Sequence, residues 1–450
     1  MSLGTPHHCS FVPPYLIRRL GLLADADLDD RLRTSRAEAT APSRDVPTPP
    51  TLLGQPAWTV HTADQTTTLP GRPVRAAGQP ATGDEAVDEA AVGISGALAL
   101  FAEVYGRASY DDQGIPVSLT VHFGRDYPNA FWDGTQLVFG DGDGVVFDRF
   151  TRPVDVLAHE LTHAVIERSA GLVYRDQPGA LNESLADVFA TCFKQRLLGQ
   201  LAVDGDWLIG AELFLPGVAA RGLRDLRAPG TAYDDPRLGR DPQPGHLDDY
   251  VSGPDDNGGV HINSGIPNRA FHLAAIALGG SSWEGAGRIW YDAMVGGEVG
   301  PETDFVGFAA ATVAAAGPHA AEVAGAWAEV GVRTGDDIRV SQSAPIPASI
   351  PASTEGAPGA GVVRVQRSGG FAGRTTQASV ALSDPAVGGE LSGLVARVEA
   401  GGLPSSAAPT RPDMFCYDLD VCGTRARVPE HLLTDDLRRL VDLVLGAGEG

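Results

Sequence analysis

The sequence predicts an α+β fold in which strands come early and helices late, followed by a separate small α+β unit. Three observations carry this. The alternating runs LTVHFG at 119–124 and QLVFG at 136–140 flank a Gly/Asp-rich stretch and read as strands. Longer stretches downstream place apolar residues at helical spacing. Near residue 341 both patterns stop in SQSAPIPASIPASTEGAPGAG, whose one charge is Glu355. Its prolines make residues 341–361 a semi-extended linker.

Each element has its own signal. In PVDVLAHELTHAVIERSAG, Pro153 suits a first helical turn and Gly171 a stop. ALNESLADVFATCFKQRLL reads as a second amphipathic helix, and GIPNRAFHLAAIAL and DFVGFAAATVAAA as two further apolar helices. Past the linker, VVRVQ, ASVAL and FCYDLDV alternate like strands. TDDLRRLVDLVLG then closes as a helix, with Thr434 as N-cap, acids in its first turn and Gly446 as its stop. At the other end, RTSRAEATAPSRDVPTPP is a Pro/Ser/Thr-rich join. The expected division is 1–55, 56–340, the linker 341–361, and 362–450.

The chain's 450 residues exceed one ordinary domain. With 34 basic and 57 acidic residues the net charge is −23, so nucleic acid and anionic membrane are excluded as expected partners. The uncharged apolar stretch at residues 90–102 is too short to span a bilayer. The opening MSLGTPHHCSFVPPYLIRRL lacks the marks of a secretory signal, so the expected compartment is the cytoplasm, with signal-less export as the alternative. Cys9, Cys192, Cys416 and Cys422 suit reduced thiols. Lys194 is the single lysine among the basic residues.

His159-Glu160-Leu161-Thr162-His163 is an HExxH pattern on an expected helix. Positions i and i+4 share one face, so both imidazoles can reach one cation. A catalytic Zn2+ needs three protein ligands and one open position. Glu183, in NESLAD on the next helix, is the expected third ligand. Asp187, one turn further, is placed to accept the other ring N–H of His159. Glu160 lies off the ligand row, suited to take a proton from an attacking water.

HELTHAVIERSAGLVYRDQPGALNESLADVFAT resembles the zinc-site segment of the thermolysin family of metalloendopeptidases. NAFWDGTQLVFGDGDGVVF (129–147) is similar to the strand and loop of that family's cleft, and DNGGVHINSGIPNRAF (256–271) to its catalytic-histidine helix. The likeness runs from about residue 58 to 339. It implies a two-lobed zincin: a strand-rich N-terminal lobe, a helical C-terminal lobe, and the zinc helix in the cleft between them. It implies that Asn129 and Ala130 hold the backbone of a protein or peptide substrate. Tyr174 and His261 would donate to the developing oxyanion, Asp256 would orient His261, and Arg224 would grip the carbonyl after the scissile bond. Phe147, Phe150, Val156, Ile209 and Leu223 would line an apolar pocket for the residue following the cut, favouring Leu, Ile or Phe.

The family's calcium sites are expected to be lost. Asp155 remains, but Lys194, Leu208 and Ala211 stand where a paired site has oxygen ligands, and Leu215 and Arg221 where another has them. The ammonium of Lys194 is expected to replace the cation and pair with Asp155.

Pro13-Pro14-Tyr15-Leu16 resembles the short precursor segment of protealysin-like members, implying an inhibitory or folding-assisting propeptide removed near residues 40–57. Cys9 is either a thiolate latch on the open zinc position or an ordinary free thiol. The C-terminal unit resembles the emfourin family of protealysin inhibitors, its SGGFAG loop (368–373) presenting Phe371. The expected function is a latent zinc endopeptidase regulated in cis by both its ends. The competing expectation is a catalytically silent, zinc-stabilised scaffold whose C-terminal domain inhibits other peptidases.

Overall fold

The computed structural model describes residues 10–22, 24–29, 31, 57–334, 362–369, 376–382, 387–401, 415–421, 424–429 and 433–447. Cys9, the linker 341–361 and Phe371 lie outside them. The chain divides into two compact units, Met1–Ala344 and Pro345–Gly450.

In the larger unit, β1 (Trp58–Thr62) pairs antiparallel with β2 (Arg72–Ala76) and parallel with β3 (Val117–Val121). β4 (Ala130–Trp132) and β5 (Leu137–Phe139) complete a five-stranded sheet of order β2-β1-β3-β5-β4. Every residue of β4 and β5 is buried, because both faces of this sheet edge are covered. The uncharged stretch at 90–102 is the interior of a long helix, α2 (Glu85–Tyr105), following the short N-terminal α1 (Pro14–Arg19). Asp84 caps α2 by accepting from Val87 N, and Gly106 stops it at φ 73°.

The HExxH helix is α3 (Val154–Glu167). Pro153 is its N-cap rather than a first-turn residue, and the helix ends ahead of Gly171, which turns the chain at φ 61°. All residues from Asp155 to Ile166 are buried, so this helix is wrapped on every side. It packs along α4 (Asp176–Leu198), and α2 crosses both. A Cβ on Gly96 of α2 would lie 2.7 Å from the Phe193 ring of α4, so that crossing admits only glycine without displacement. Two ribbons follow, β6 (Leu208–Ile209) with β7 (Arg224–Asp225), and β8 (Asp234–Asp235) with β9 (Gly239–Arg240). Helices α5 (Asp256–Asn263), α6 (Gly265–Leu278), α7 (Ala286–Val295), α8 (Phe305–Ala315) and α9 (Ala320–Glu329) build the helical lobe. Its centre is a stacked Trp290–Trp327 pair, ring centroids 6.0 Å apart. No described helix is long and apolar enough to cross a membrane.

The N-terminal segment belongs to the core of this unit. Phe11, Val12, Leu16 and Ile17 are fully buried in the same hydrophobic cluster as α3 and α4.

The smaller unit has an antiparallel sheet of order β11-β10-β12-β13, formed by β10 (Val362–Gly369), β11 (Thr376–Ala381), β12 (Phe415–Val421) and β13 (Thr424–Pro429). Its core joins Val363, Val365 and Leu419 to Leu391 and Val395 of α10 (Gly388–Gly401) and to Leu437 and Leu440 of α11 (Asp435–Ala447). β13 and α10 are not among the elements expected above, although Leu391, Leu394, Val395 and Val398 stand at helical spacing along α10. Thr434 Oγ1 accepts from Leu437 N at 3.3 Å, and α11 runs through Gly446 instead of stopping there.

Candidate active site

One turn of α3 brings His159 and His163 together, their Nε2 atoms 3.0 Å apart. Glu183 enters from α4, its carboxylate oxygens 3.5 Å from His159 Nε2 and 3.6 Å from His163 Nε2. The other ring nitrogens are committed. His159 Nδ1 donates to Asp187 Oδ1 at 2.9 Å and His163 Nδ1 to Asn182 Oδ1 at 2.8 Å. Both Nε2 atoms therefore present lone pairs to one another and to a carboxylate. Three acceptors held this close repel unless a cation lies among them, and two imidazoles with one carboxylate is a zinc donor set. Burial, then the neighbouring His159, push the His163 pKa down to about 3, so it stays a neutral ligand at working pH. Glu183 is held well below the usual carboxylate range: burial opposes this, but His261, His163 and His159 outweigh it.

Arg224 braces the back of the site from β7. Its Nε and Nη2 donate to Asp187 at 2.7 and 2.8 Å, and Asn268 Nδ2 adds a third bond at 2.9 Å. The sequence reading does not single out Asn182 or Asn268. Asn182 stands in the NESLAD motif and Asn268 in DNGGVHINSGIPNRAF, twelve positions past Asp256, but neither spacing assigns them a partner.

His261 faces Glu183 at 3.6 Å. Asp256 accepts from its Nδ1 at 2.6 Å and from its backbone N at 2.9 Å. The double grip requires a left-handed run from Asp256 to Gly259, φ 51° to 89°. Burial pulls the His261 pKa down, but Asp256 and then Glu183 outweigh it and leave it raised. Tyr174 OH donates to Glu183 and lies 3.1 Å from His261 Nε2. The Glu160 carboxylate is fully buried; burial first, then Glu183, raise its pKa well above the usual range.

The cleft is filled by the chain's own N-terminal segment. Phe11 N donates to Ala130 O at 2.9 Å, and Val12 N to Asn129 Oδ1 at 2.8 Å, while Asn129 Nδ2 returns to Val12 O at 3.2 Å. Arg224 Nη1 donates to Phe11 O at 3.2 Å, and Ser10 O lies 2.9 Å from His261 Nε2. The Phe11 ring meets His159 edge-on at 5.1 Å and Phe150 at 6.3 Å, with the Arg224 guanidinium over its face. Phe147, Phe150, Val156, Ile209 and Leu223 are all buried in the cluster that receives it. Pro13 caps α1, which starts at Pro14, and Tyr15 OH lies 3.4 Å from Tyr233 OH. Asp29, also unmarked in the sequence, bonds Asn129 Nδ2 at 3.1 Å and accepts from Tyr127 OH. Ser10, Phe11 and Asp29 lie outside every motif. The one available signal is Phe11 itself, an aromatic residue of the kind the pocket is expected to favour, two positions before Pro13.

The comparisons with known proteins agree with this geometry. Residues 56–167 match the thermolysin metallopeptidase catalytic domain, residues 170–332 its alpha-helical domain, and residues 365–445 Emfourin. The extracellular metalloprotease of Pectobacterium carotovorum subsp. carotovorum is 48% identical over 345 residues, which cover 72% of this chain and 96% of that protein. Protease PrtS of Photorhabdus sp. (strain Az29) is 45% identical over 289 residues, 62% of this chain and 77% of that one. Among solved structures, the precursor of protealysin from Serratia proteamaculans matches with a TM-score of 0.66 at 46% identity, covering 72% of this chain and 99% of that chain. With both halves of its cleft matched and a His-His-Glu cluster between them, the chain belongs to the thermolysin family of metallopeptidases and is a zinc endopeptidase.

Proposed function

We propose that this endopeptidase cleaves on the amino side of bulky apolar residues, is made latent, and works without calcium. The observation that carries the first two points is the seating of Phe11 in the apolar pocket with its backbone held on both sides. Bound zinc supplies Lewis acidity to the reacting carbonyl. Glu160 takes the proton of the attacking water. His261 and Tyr174 donate to the oxygen that gains charge, and Asp256 keeps the His261 ring turned toward it. Arg224, Asn129 and Ala130 hold the backbone that follows the cut. A peptide library digested after removal of the N-terminal segment should be cut before Leu, Ile or Phe. Cuts clustered after a residue type, with no preference before one, would refute this specificity. Casein hydrolysis that survives Glu160→Ala would refute the role of Glu160.

Calcium independence rests on Lys194. Its Nζ is 3.1 Å from Asp155 Oδ2 and 3.0 Å from Asp206 Oδ2, and it donates to Leu208 O. Burial pulls its pKa down, but Asp155 and then Asp206 leave it raised, so the group is a permanent cation. It stands where the thermolysin likeness would put a divalent ion.

The C-terminal unit is proposed as an inhibitor acting in cis. The Emfourin match over 365–445 supports this, as does the reach of the linker. Its 21 residues extend to about 65 Å, against a radius of gyration near 19 Å for a unit of this size. A tethered partner at roughly millimolar effective concentration saturates a site of only micromolar affinity. Truncation after Gly361 should raise activity per zinc once the N-terminal segment is gone, and the isolated unit should inhibit when added back, less so with Phe371→Ala. Equal activity with and without the unit would overturn the proposal.

A further inference from the structure

The three residues in the cleft are bound in one consistent register. Phe11 is held through its amide (Ala130 O, 2.9 Å), its carbonyl (Arg224, 3.2 Å) and its buried ring. Val12 is held through both its backbone groups by Asn129. Ser10 contributes its carbonyl oxygen, which meets His261, the residue that also faces Tyr174 and Glu183. The peptide bond between Ser10 and Phe11 therefore occupies the position of a bond to be cut, with the apolar residue on its C-terminal side. Among the described residues the other anchors lie further along the chain: Tyr15 at Tyr233, buried Leu16 and Ile17, and Asp29 at Asn129 and Tyr127.

We propose that Ser10–Phe11 is the first bond this enzyme hydrolyses, within its own molecule, and that the cut does not open the cleft. Resting on the assignment of Glu160 and His261 above, the step is ordinary hydrolysis. Water adds to the Ser10 carbonyl carbon as Glu160 takes its proton, and His261 donates to the carbonyl oxygen. The C–N bond then breaks, with the proton passing to the Phe11 nitrogen. Ser10 leaves as a carboxylate and Phe11 becomes a new amino terminus, one water being consumed. Departure of Ser10 gives up its hydrogen bond to His261. The bonds to Phe11, Val12, Tyr15 and Asp29 stay, so the clipped chain remains closed to external substrate until a second cut falls in the join before residue 57.

The test uses the full chain, prepared metal-free and then given one equivalent of zinc. Intact-mass measurement should show the peptide ending at Ser10 leaving before any other fragment. The rate should be unchanged over a hundredfold dilution, and the loss absent in Glu160→Ala. The clipped species should hydrolyse a reporter peptide at under a tenth of the rate seen after the second cut. In the metal-free protein, independently of any turnover, the amides of Phe11 and Val12 should be protected from hydrogen exchange at least a hundredfold. Absence of that protection would overturn the seating. A chain that matures with Ser10–Phe11 intact, or that loses it at a rate proportional to concentration, would overturn the cut in cis. A chain that loses its N-terminal segment to an added protease and still hydrolyses nothing would instead refute the enzymatic assignment.

Discussion

Helices α3 and α4 carry two buried ionic clusters made from similar materials and completed in opposite ways. At one, His159, His163 and Glu183 turn lone pairs toward one another within 4.8 Å. At the other, a turn earlier on α3 and about three turns later on α4, Asp155 meets the ammonium of Lys194 at 3.1 Å, with Asp206 at 3.0 Å. The Lys194 cluster has its cation as soon as the chain folds. The histidine cluster is complete only with an ion from solution. A permanent charge suits a strut, whereas a site that must do chemistry needs an ion with a position left open.

The largest effect should separate binding from chemistry at the histidine cluster. Glu160→Ala and Glu183→Ala should each lower kcat/KM at least about a thousandfold, roughly 4 kcal/mol in barrier, in N-terminally processed protein. Metal analysis should find zinc retained in the first and lost in the second; full zinc content in Glu183→Ala would break the comparison. Next comes Lys194→Met, which leaves the buried Asp155 and the partly exposed Asp206 without their cation and should cost about 3–5 kcal/mol of stability. Thermal unfolding measures it, and a loss under about 1 kcal/mol would reduce the cluster to a surface pair.

A third cluster sharpens the contrast, because its cation can be titrated away. His122 Nδ1 lies 2.9 Å from Asp141, and its Nε2 3.2 Å from Asp84, the cap of α2. The Asp141 hydrogen bond, against the pull of burial, raises its pKa to about 9. A folded value above the ordinary one near 6.5 means that the stabilisation is complete below that pH and fades as pH rises through 9. His122→Gln should therefore cost about 1–2 kcal/mol at pH 6, after allowing for solvent screening, and far less at pH 10. A pH-independent penalty would assign His122 to packing. The smallest effect, expected on the proposal that Lys194 takes the place of the divalent ion, is that of a calcium-selective chelator, a melting shift under about 1 °C. A fall of many degrees would contradict the role given to Lys194.

The parts of this molecule most readable from sequence are those whose chemistry is local. HExxH pairs His159 with His163, and NESLAD pairs Glu183 with Asp187, each one turn apart on one helix, so spacing alone places each pair on one face. α2 is harder. Its Ala- and Gly-rich interior has little periodicity and reads only as too short for a membrane, although tertiary packing against Leu157 and Phe193 makes it a central helix. Asp206, the second partner of Lys194, sits in a loop whose path no pattern specifies. Gly171 and Gly446 look alike as stops, yet α3 ends before the first and α11 runs past the second, because glycine permits a turn without requiring one. Phe11 is the hardest case, because an isolated aromatic residue has no period. Its part is defined by groups more than a hundred positions away, at Asn129 and Arg224.

Those same side chains have a consequence for how such an enzyme can change. Asn129 and Arg224 hold the segment before maturation, and on the proposed mechanism they hold the substrate afterwards. The lock and the tool thus share one set of teeth. A substitution that narrows the pocket toward smaller residues would also loosen Phe11, so a lineage shifting its diet would release active protease prematurely unless residue 11 changed with it. Altered selectivity in this scaffold is therefore a two-site problem, and an engineer who rewrites the pocket must rewrite Phe11 in the same step.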